Sequence, residues 1–376
     1  MTCISLITDG IDSITGPIRV AYLLGRFLIG LGFDVNVVSP YVREDVRRDF
    51  EYVGIKVRDL GIKPLLPGQA GHLSIWLING IKGGLINYGD DCLSINLSFE
   101  LPIPSTVFYA QGYVGDLLRD LSQVFPPIYY RLSYYIALPL INTADSTYHR
   151  ALSFSKYVIA NSRYSAEAVM SRGVRVWGVI NPPVDTELFK PVPNPPTQDY
   201  VLTYVGKETQ FDVLRAMANA GIRIVAFGSK VPWMPRWFIK HQNIDYKGRV
   251  SDDELARLYA NARFTVFPFI HEPFGYVPVE SMACGTPVLT YDKQGPSETV
   301  INNETGWLVR DPGDLIKLAI KLWFNGYVES MRIKARERAM AFSVAKIINE
   351  WLSMIGSIHG GDEDKNNKDR STELGE

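Results

Sequence analysis

The stretch 271–280, HEPFGYVPVE, sets two carboxylates, Glu272 and Glu280, on either side of a Phe274-Gly275 step. It follows an apolar run from Phe264 to Ile270 that reads as a buried strand. In an open parallel sheet, ligands lie beyond the carboxyl ends of the strands, so Glu272 falls at a ligand-facing edge. Gly275 permits a close backbone approach, and residues 276–284 are expected to begin a helix whose free N–H groups attract phosphate. Glu280 stands about one turn into that helix, roughly 5 to 6 Å along its axis, where it reaches another part of the same elongated ligand. Carboxylates accept hydrogen bonds from vicinal hydroxyls while main-chain donors hold a diphosphate, so the pair suits a nucleotide sugar. The plainer reading of Glu272 is a helix cap. Glu280 and Lys207, each taken singly, read as solvated surface residues.

The elements that position this pair follow from length and patterning. A chain of 376 residues exceeds one ordinary core and suits two domains. Its 46% hydrophobic and 21% charged residues exclude a disordered or fibrous class, and a net charge of −1 gives no electrostatic ground for nucleic acid as a partner. Cys3, Cys92 and Cys284 lie far apart, which predicts reduced thiols, no disulfide and a cytoplasmic protein. The first residues read as a strand and not as a leader. No apolar run is long enough to span a membrane; the nearest, IYYRLSYYIALPLI (128–141), contains Arg131 and Pro139. That stretch is expected to be an aromatic core helix, with an acceptor-binding or membrane-surface face as the other reading.

Strand and helix patterns alternate from the start: 3–8, 18–31 and 34–38 form a β-loop-α-β opening, and 107–111 and 156–162 read as later strands. Helical stretches fall near 117–124, 128–150 and 164–171. This alternation predicts a doubly wound parallel sheet. The proline-rich run NPPVDTELFKPVPNPPTQ breaks it, and the pattern then restarts with strands at 200–207, 222–229 and 263–269 and helices at 210–220 and 252–262. The expected division is 1–190 on the acceptor side, 191–328 on the nucleotide-sugar side, a helix at 329–356, and a charged, disordered tail at 357–376.

The segment from Glu272 to Val309 closely resembles the signature of retaining glycosyltransferase family four: Glu, seven residues, Glu, with Phe-Gly inside, then MACGTPV, GPSETV and TGWLV. Weaker similarity extends over most of 155–352, while the first 150 residues resemble the family mainly in layout. The resemblance implies a GT-B fold, two Rossmann-like domains facing a cleft, and transfer from a nucleotide sugar with retention of configuration. It places Glu272 on the hydroxyls of the transferred sugar, main-chain N–H groups around Phe274, Gly275, Tyr276 and Val277 on the donor, and Glu280 on the ribose. Lys207 corresponds to the basic residue that neutralises the leaving diphosphate, Gly16 to a phosphate-facing loop of the first domain, and Arg249 and Val250 to main-chain contacts with the base. It also implies that the helix at 329–354 crosses back onto the first domain.

The sequence departs from the family at two places. A second lysine commonly follows the first basic residue, but here Asp212 and Val213 stand at those positions; a histidine common near the transferred sugar is replaced by Gln111, which hydrogen-bonds but does not carry a proton. No cofactor or metal is expected: His271-Glu272 lacks the second histidine of a zinc-protease motif, since Gly275 stands there, and no Asp-x-Asp pair follows a strand. The expected partners are a nucleotide-sugar donor and a glycan or lipid-linked acceptor, with peripheral contact to a membrane. The competing readings are a nucleotide-sugar binding protein without turnover and, after it, a GT-B epimerase or phosphorylase.

Overall fold

The computed structural model describes residues 3–14, 16–66, 68–82, 92–124, 128–193 and 199–373. The chain opens with β1 (Cys3–Ile7), α1 (Pro17–Gly30), β2 (Asp34–Ser39), α2 (Glu44–Tyr52) and β3 (Lys56–Asp59). It continues through α3 (Gln69–Ile81), β4 (Leu93–Asn96), β5 (Val107–Ala110) and α4 (Val114–Val124). The long α5 (Ile128–Phe154), β6 (Tyr157–Ala160), α6 (Arg163–Met170) and β7 (Gly178–Val179) complete the first domain. Its strands form one parallel sheet in the order β3-β2-β1-β4-β5-β6-β7. Helices cover both faces, so the central strands carry no exposed side: every residue of β5 is buried.

The second domain repeats the plan. It runs β8 (Val201–Val205), α7 (Phe211–Asn219), β9 (Ile224–Gly228), α8 (Arg236–Lys240), β10 (Ile244–Gly248) and α9 (Asp252–Asn261). Then come β11 (Thr265–Phe267), α10 (Tyr276–Ala283), β12 (Val288–Tyr291), α11 (Pro296–Thr299), β13 (Gly306–Val309) and α12 (Pro312–Asn325). The sheet is again parallel, ordered β10-β9-β8-β11-β12-β13. The winding direction reverses between β8 and β11, and the loops that leave their carboxyl ends therefore flank a crevice. Those two loops carry Lys207 and Glu272.

In place of one helix over 329–354, the structure has α13 (Ser330–Ala339), a 3-10 turn at Met340–Phe342 and α14 (Val344–Glu373). Ala335 and Ala339 belong to the core of the second domain, whereas Ile347, Ile348, Trp351, Ile355 and Ile358 belong to that of the first. The break at Ser343, in extended conformation, redirects the chain from one core to the other. Beside it, the Val184 N–H donates to Phe342 O at 2.8 Å, so the two crossings between domains lie side by side.

Three expectations need correction. The disordered tail is instead a continuation of α14 through Glu373: with the first turns fixed by packing, each added residue costs only propagation, and a polar composition does not by itself stop a helix. The core helix expected at 128–141 is exposed along one side, with Ile128, Tyr129, Leu132, Tyr135, Ile136 and Leu140 all open to solvent. α5 packs chiefly through its later residues Ile141, Ala144, Tyr148 and Leu152, and its first half projects beyond them. Finally, Cys3 and Cys92 form a disulfide, with Cα atoms 4.8 Å apart. Their distance in sequence hid a proximity created when β1 and β4 pair.

Candidate functional site

Glu272 precedes α10 and Glu280 lies within it, and both act electrostatically on Tyr276 in its first turn. Gly275, at φ 95°, turns the chain into the helix, and a side chain there would press on Pro296. The loop 292–295 packs against this turn so tightly that a Cβ on Gly295 would lie 2.3 Å from the Phe274 Cα. Gln294, itself at φ 53°, holds the two loops together by accepting from the Glu272 N–H at 2.6 Å. The Glu272 carboxylate accepts from the Gly275 N–H at 3.1 Å. Glu272 thus ties down the turn before α10 through a donor that the resemblance assigns to the sugar, while the helix itself has no side-chain cap. Phe274 is buried against Tyr276 and Phe342, so only its main chain is available to a ligand. The first-turn N–H groups of α10 beyond Gly275, those of Tyr276 and Val277 among them, have no partner within the helix.

Glu208, which the sequence reading passed over, adjoins this turn. It is buried, its Oε2 has no hydrogen-bond partner, and its backbone oxygen accepts from the Ile270 N–H at 3.0 Å. Burial raises its affinity for a proton and the Lys207 ammonium opposes this. Glu272 is pushed up to about 7, by burial first and then by the charge of Glu208. A buried and a half-buried carboxylate thus share one nearby cation, Lys207. No spacing rule flags Glu208; only its seat beside β11 does.

Glu280 is buried on α10, and burial pushes its pKa up against the pull of Arg19. Arg19, in the first turn of α1, crosses from the first domain: Nη1 donates to Glu280 Oε1 at 2.6 Å and Nη2 to Asp252 Oδ2 at 3.2 Å. Tyr259 donates to the other Glu280 oxygen at 3.3 Å. This bridge brings the start of α1 against α10. Gly16 caps α1 at φ 54° with open space around it, as a ligand-facing loop requires. Arg249 and Val250 follow β10, immediately before the α9 turn that carries Asp252, and Arg249 Nε donates to Ser229 Oγ at 2.9 Å.

Two further contacts span the domains. His271 Nδ1 lies 2.9 Å from Asp120 Oδ2 on α4. Glu298, within the GPSETV segment, accepts from the Arg163 and Tyr164 N–H groups at 2.8 and 2.7 Å and so caps α6 from the opposite domain. Gln111, by contrast, turns inward: its Nε2 donates to Leu97 O at 2.9 Å, leaving only the rest of its amide for a ligand.

The first domain holds its own charged cluster at the ends of β1 and β4. Asp9 accepts from Ser98 Oγ and from the Phe99 and Glu100 N–H groups at 2.6, 2.8 and 2.9 Å. His72 lies between Glu100 at 2.5 Å and Asp12 at 3.1 Å, and Gly10 donates to the second Glu100 oxygen at 2.8 Å. Burial opposes a charge on His72, but its bond to Glu100 and the surrounding acids raise it to about 9.

Residues 238–340 match the family described as Glycosyl transferases group 1. The alpha-1,3/1,6-mannosyltransferase alg-2 of Neurospora crassa is 48% identical over 58 residues, 15% of this chain and 12% of that protein. A GDP-mannose-dependent alpha-(1-6)-phosphatidylinositol dimannoside mannosyltransferase of Mycobacterium tuberculosis is 29% identical over 156 residues, 40% of each chain. The matches thus span less than half the length of these relatives. The structure of sucrose-phosphate synthase from Thermosynechococcus elongatus superposes with a TM-score of 0.71 over 96% of this chain and 100% of that one, at 18% identity. The architecture is GT-B. The family match falls within the second domain and includes the Glu272–Val309 signature up to its end.

Proposed function

We propose that the protein transfers a sugar from a nucleoside-diphosphate sugar to an acceptor, with retention at the anomeric carbon and without a metal. The observation that supports this reading is that Glu272 follows β11 next to the β8–β11 reversal and leads into α10, whose Glu280 is bridged by Arg19 of α1 in the other domain. Glu280 holds the ribose, the first turn of α10 and Lys207 hold the diphosphate, and Arg249 and Val250 border the base. Glu272 orients the sugar by accepting from its hydroxyls and stabilises positive charge as the bond to phosphate lengthens. No side chain is placed as a covalent nucleophile. Departure and attack occur on the same face, and the leaving phosphate oxygen takes the acceptor proton.

The acceptor enters from the first domain, and its glycan is carried on a lipid. The exposed face of α5 supports the second part: Tyr129 and Tyr135 among Ile128, Leu132, Ile136 and Leu140, with no acid between 128 and 144, suit the interfacial layer of a bilayer. The direct test is a screen of uridine, guanosine and adenosine diphosphate sugars for hydrolysis and transfer, with the product anomer read by NMR. Turnover that disappears in Glu272→Ala supports the reading. Tight donor binding without turnover under any acceptor would leave a binding protein, and inverted or epimerised products would refute retention or transfer.

A further inference from the structure

The resemblance assigns a single side-chain cation, Lys207, to a group that carries a charge on each of two phosphates. The residues where a second lysine commonly stands are Asp212 and Val213. Lys293, a basic side chain within the signature, donates to Ile270 O at 3.2 Å and is drawn electrostatically to Asp120. Arg19 is placed differently. Its side chain is 13% exposed, stands one turn beyond Gly16, and ends among Glu280, Asp252 and the ring of Tyr276, 5.8 Å from its centroid. These residues bracket the start of α10 and the segment before α9.

We infer that Arg19 is the second cation of the diphosphate site, exchanging Glu280 for phosphate when the nucleotide sugar binds. The inference rests on the proposed function and adds a residue and a mechanism to it. Oε1 of Glu280 accepts from Arg19 and Oε2 from Tyr259, each keeping a further lone pair for a ribose hydroxyl, while the guanidinium stays free to trade its carboxylate for another anion. A phosphate within reach of the same planar fork makes that exchange nearly even, because one charge-assisted pair replaces another. Arg19 belongs to the first domain while Lys207 and α10 belong to the second. The diphosphate is then gripped from both sides, and binding favours the closed arrangement of the domains.

The test titrates wild type, Arg19→Ala, Arg19→Gln and Arg19→Lys by calorimetry with uridine, guanosine and adenosine diphosphates and with the parent nucleosides, and measures competition by inorganic pyrophosphate. For whichever diphosphate the wild type binds, Arg19→Ala is expected to weaken binding about ten- to a hundredfold, with Arg19→Lys between. Pyrophosphate competition should weaken in parallel, while the nucleoside binds equally well or better because Glu280 is released. Equal losses for diphosphate and nucleoside would make Arg19 a mere prop for Glu280, and unchanged diphosphate and pyrophosphate binding would also overturn the inference. If Arg19→Ala fails to fold, Arg19→Gln, which retains a donor for Glu280, carries the same comparison. A wild type that binds none of the diphosphates refutes the proposed function itself, a separate outcome.

Discussion

Each domain gathers acids at the carboxyl ends of its central strands, but the two groups are built differently. In the first domain Asp9 accepts three hydrogen bonds and His72 is held by Glu100 and Asp12, so the cluster satisfies itself. Burial and an acidic neighbour raise Glu100 and Glu272 alike to about 7, so the difference lies in hydrogen bonding: in the second cluster Glu208 retains a buried oxygen with no partner. A cluster whose acceptors are all met holds loops in place; one with an unmet buried oxygen leaves a demand that a ligand can meet. The contrast separates scaffold from site more sharply than residue type does.

The largest effect expected is on turnover. Glu272→Ala should lower transfer about a hundred- to a thousandfold while leaving the melting temperature unchanged or raised, since it removes one of two neighbouring, mutually repelling carboxylates. Unfolding of this variant would break the comparison. Asp9→Ala should do the reverse and destabilise the protein by about 2–4 kcal/mol in urea unfolding, because three donors lose their acceptor. If stability were unchanged and transfer lost, the first cluster would count as part of the site.

A smaller effect concerns pH. Glu272 stabilises the developing positive charge only when ionised and its pKa is raised to about 7, so kcat/KM for the donor should climb as pH rises through about 7 and level off above it. Glu208→Gln removes a negative neighbour, which lowers the Glu272 pKa and moves that limb to more acid pH. An unmoved limb would uncouple the two acids. The smallest change is expected at α5: Ile136→Glu should reduce cosedimentation with lipid vesicles severalfold without altering donor binding, and equal cosedimentation would remove the lipid surface from the reading.

Legibility in the sequence followed the same division. Glu272, Gly275 and Glu280 lie within nine positions, and local spacing was enough to read them together. The alternation of strands and helices likewise conveyed two doubly wound sheets. Asp9, His72 and Glu100 come from three separate segments that only the pairing of β1 with β4 brings together, and no periodicity encodes that. Glu298 stood inside the recognised segment, yet its work on α6 was invisible because the partner N–H groups lie 134 and 135 positions away. The short β4 escaped notice at four residues. α5 misled for another reason: it is apolar on both sides, and the pattern alone does not say which side meets protein.

The paired crossings at Val184 and Ser343 bear on how the halves can swing. A single tether would leave one lobe free to twist as well as open, whereas two strands stitched together and anchored by the Trp351 helix restrict it to a rocking path, much as a second pin does for a door. Each cycle of substrate entry and product exit would then retrace one arc, and the reacting groups would return to the same alignment without searching for it.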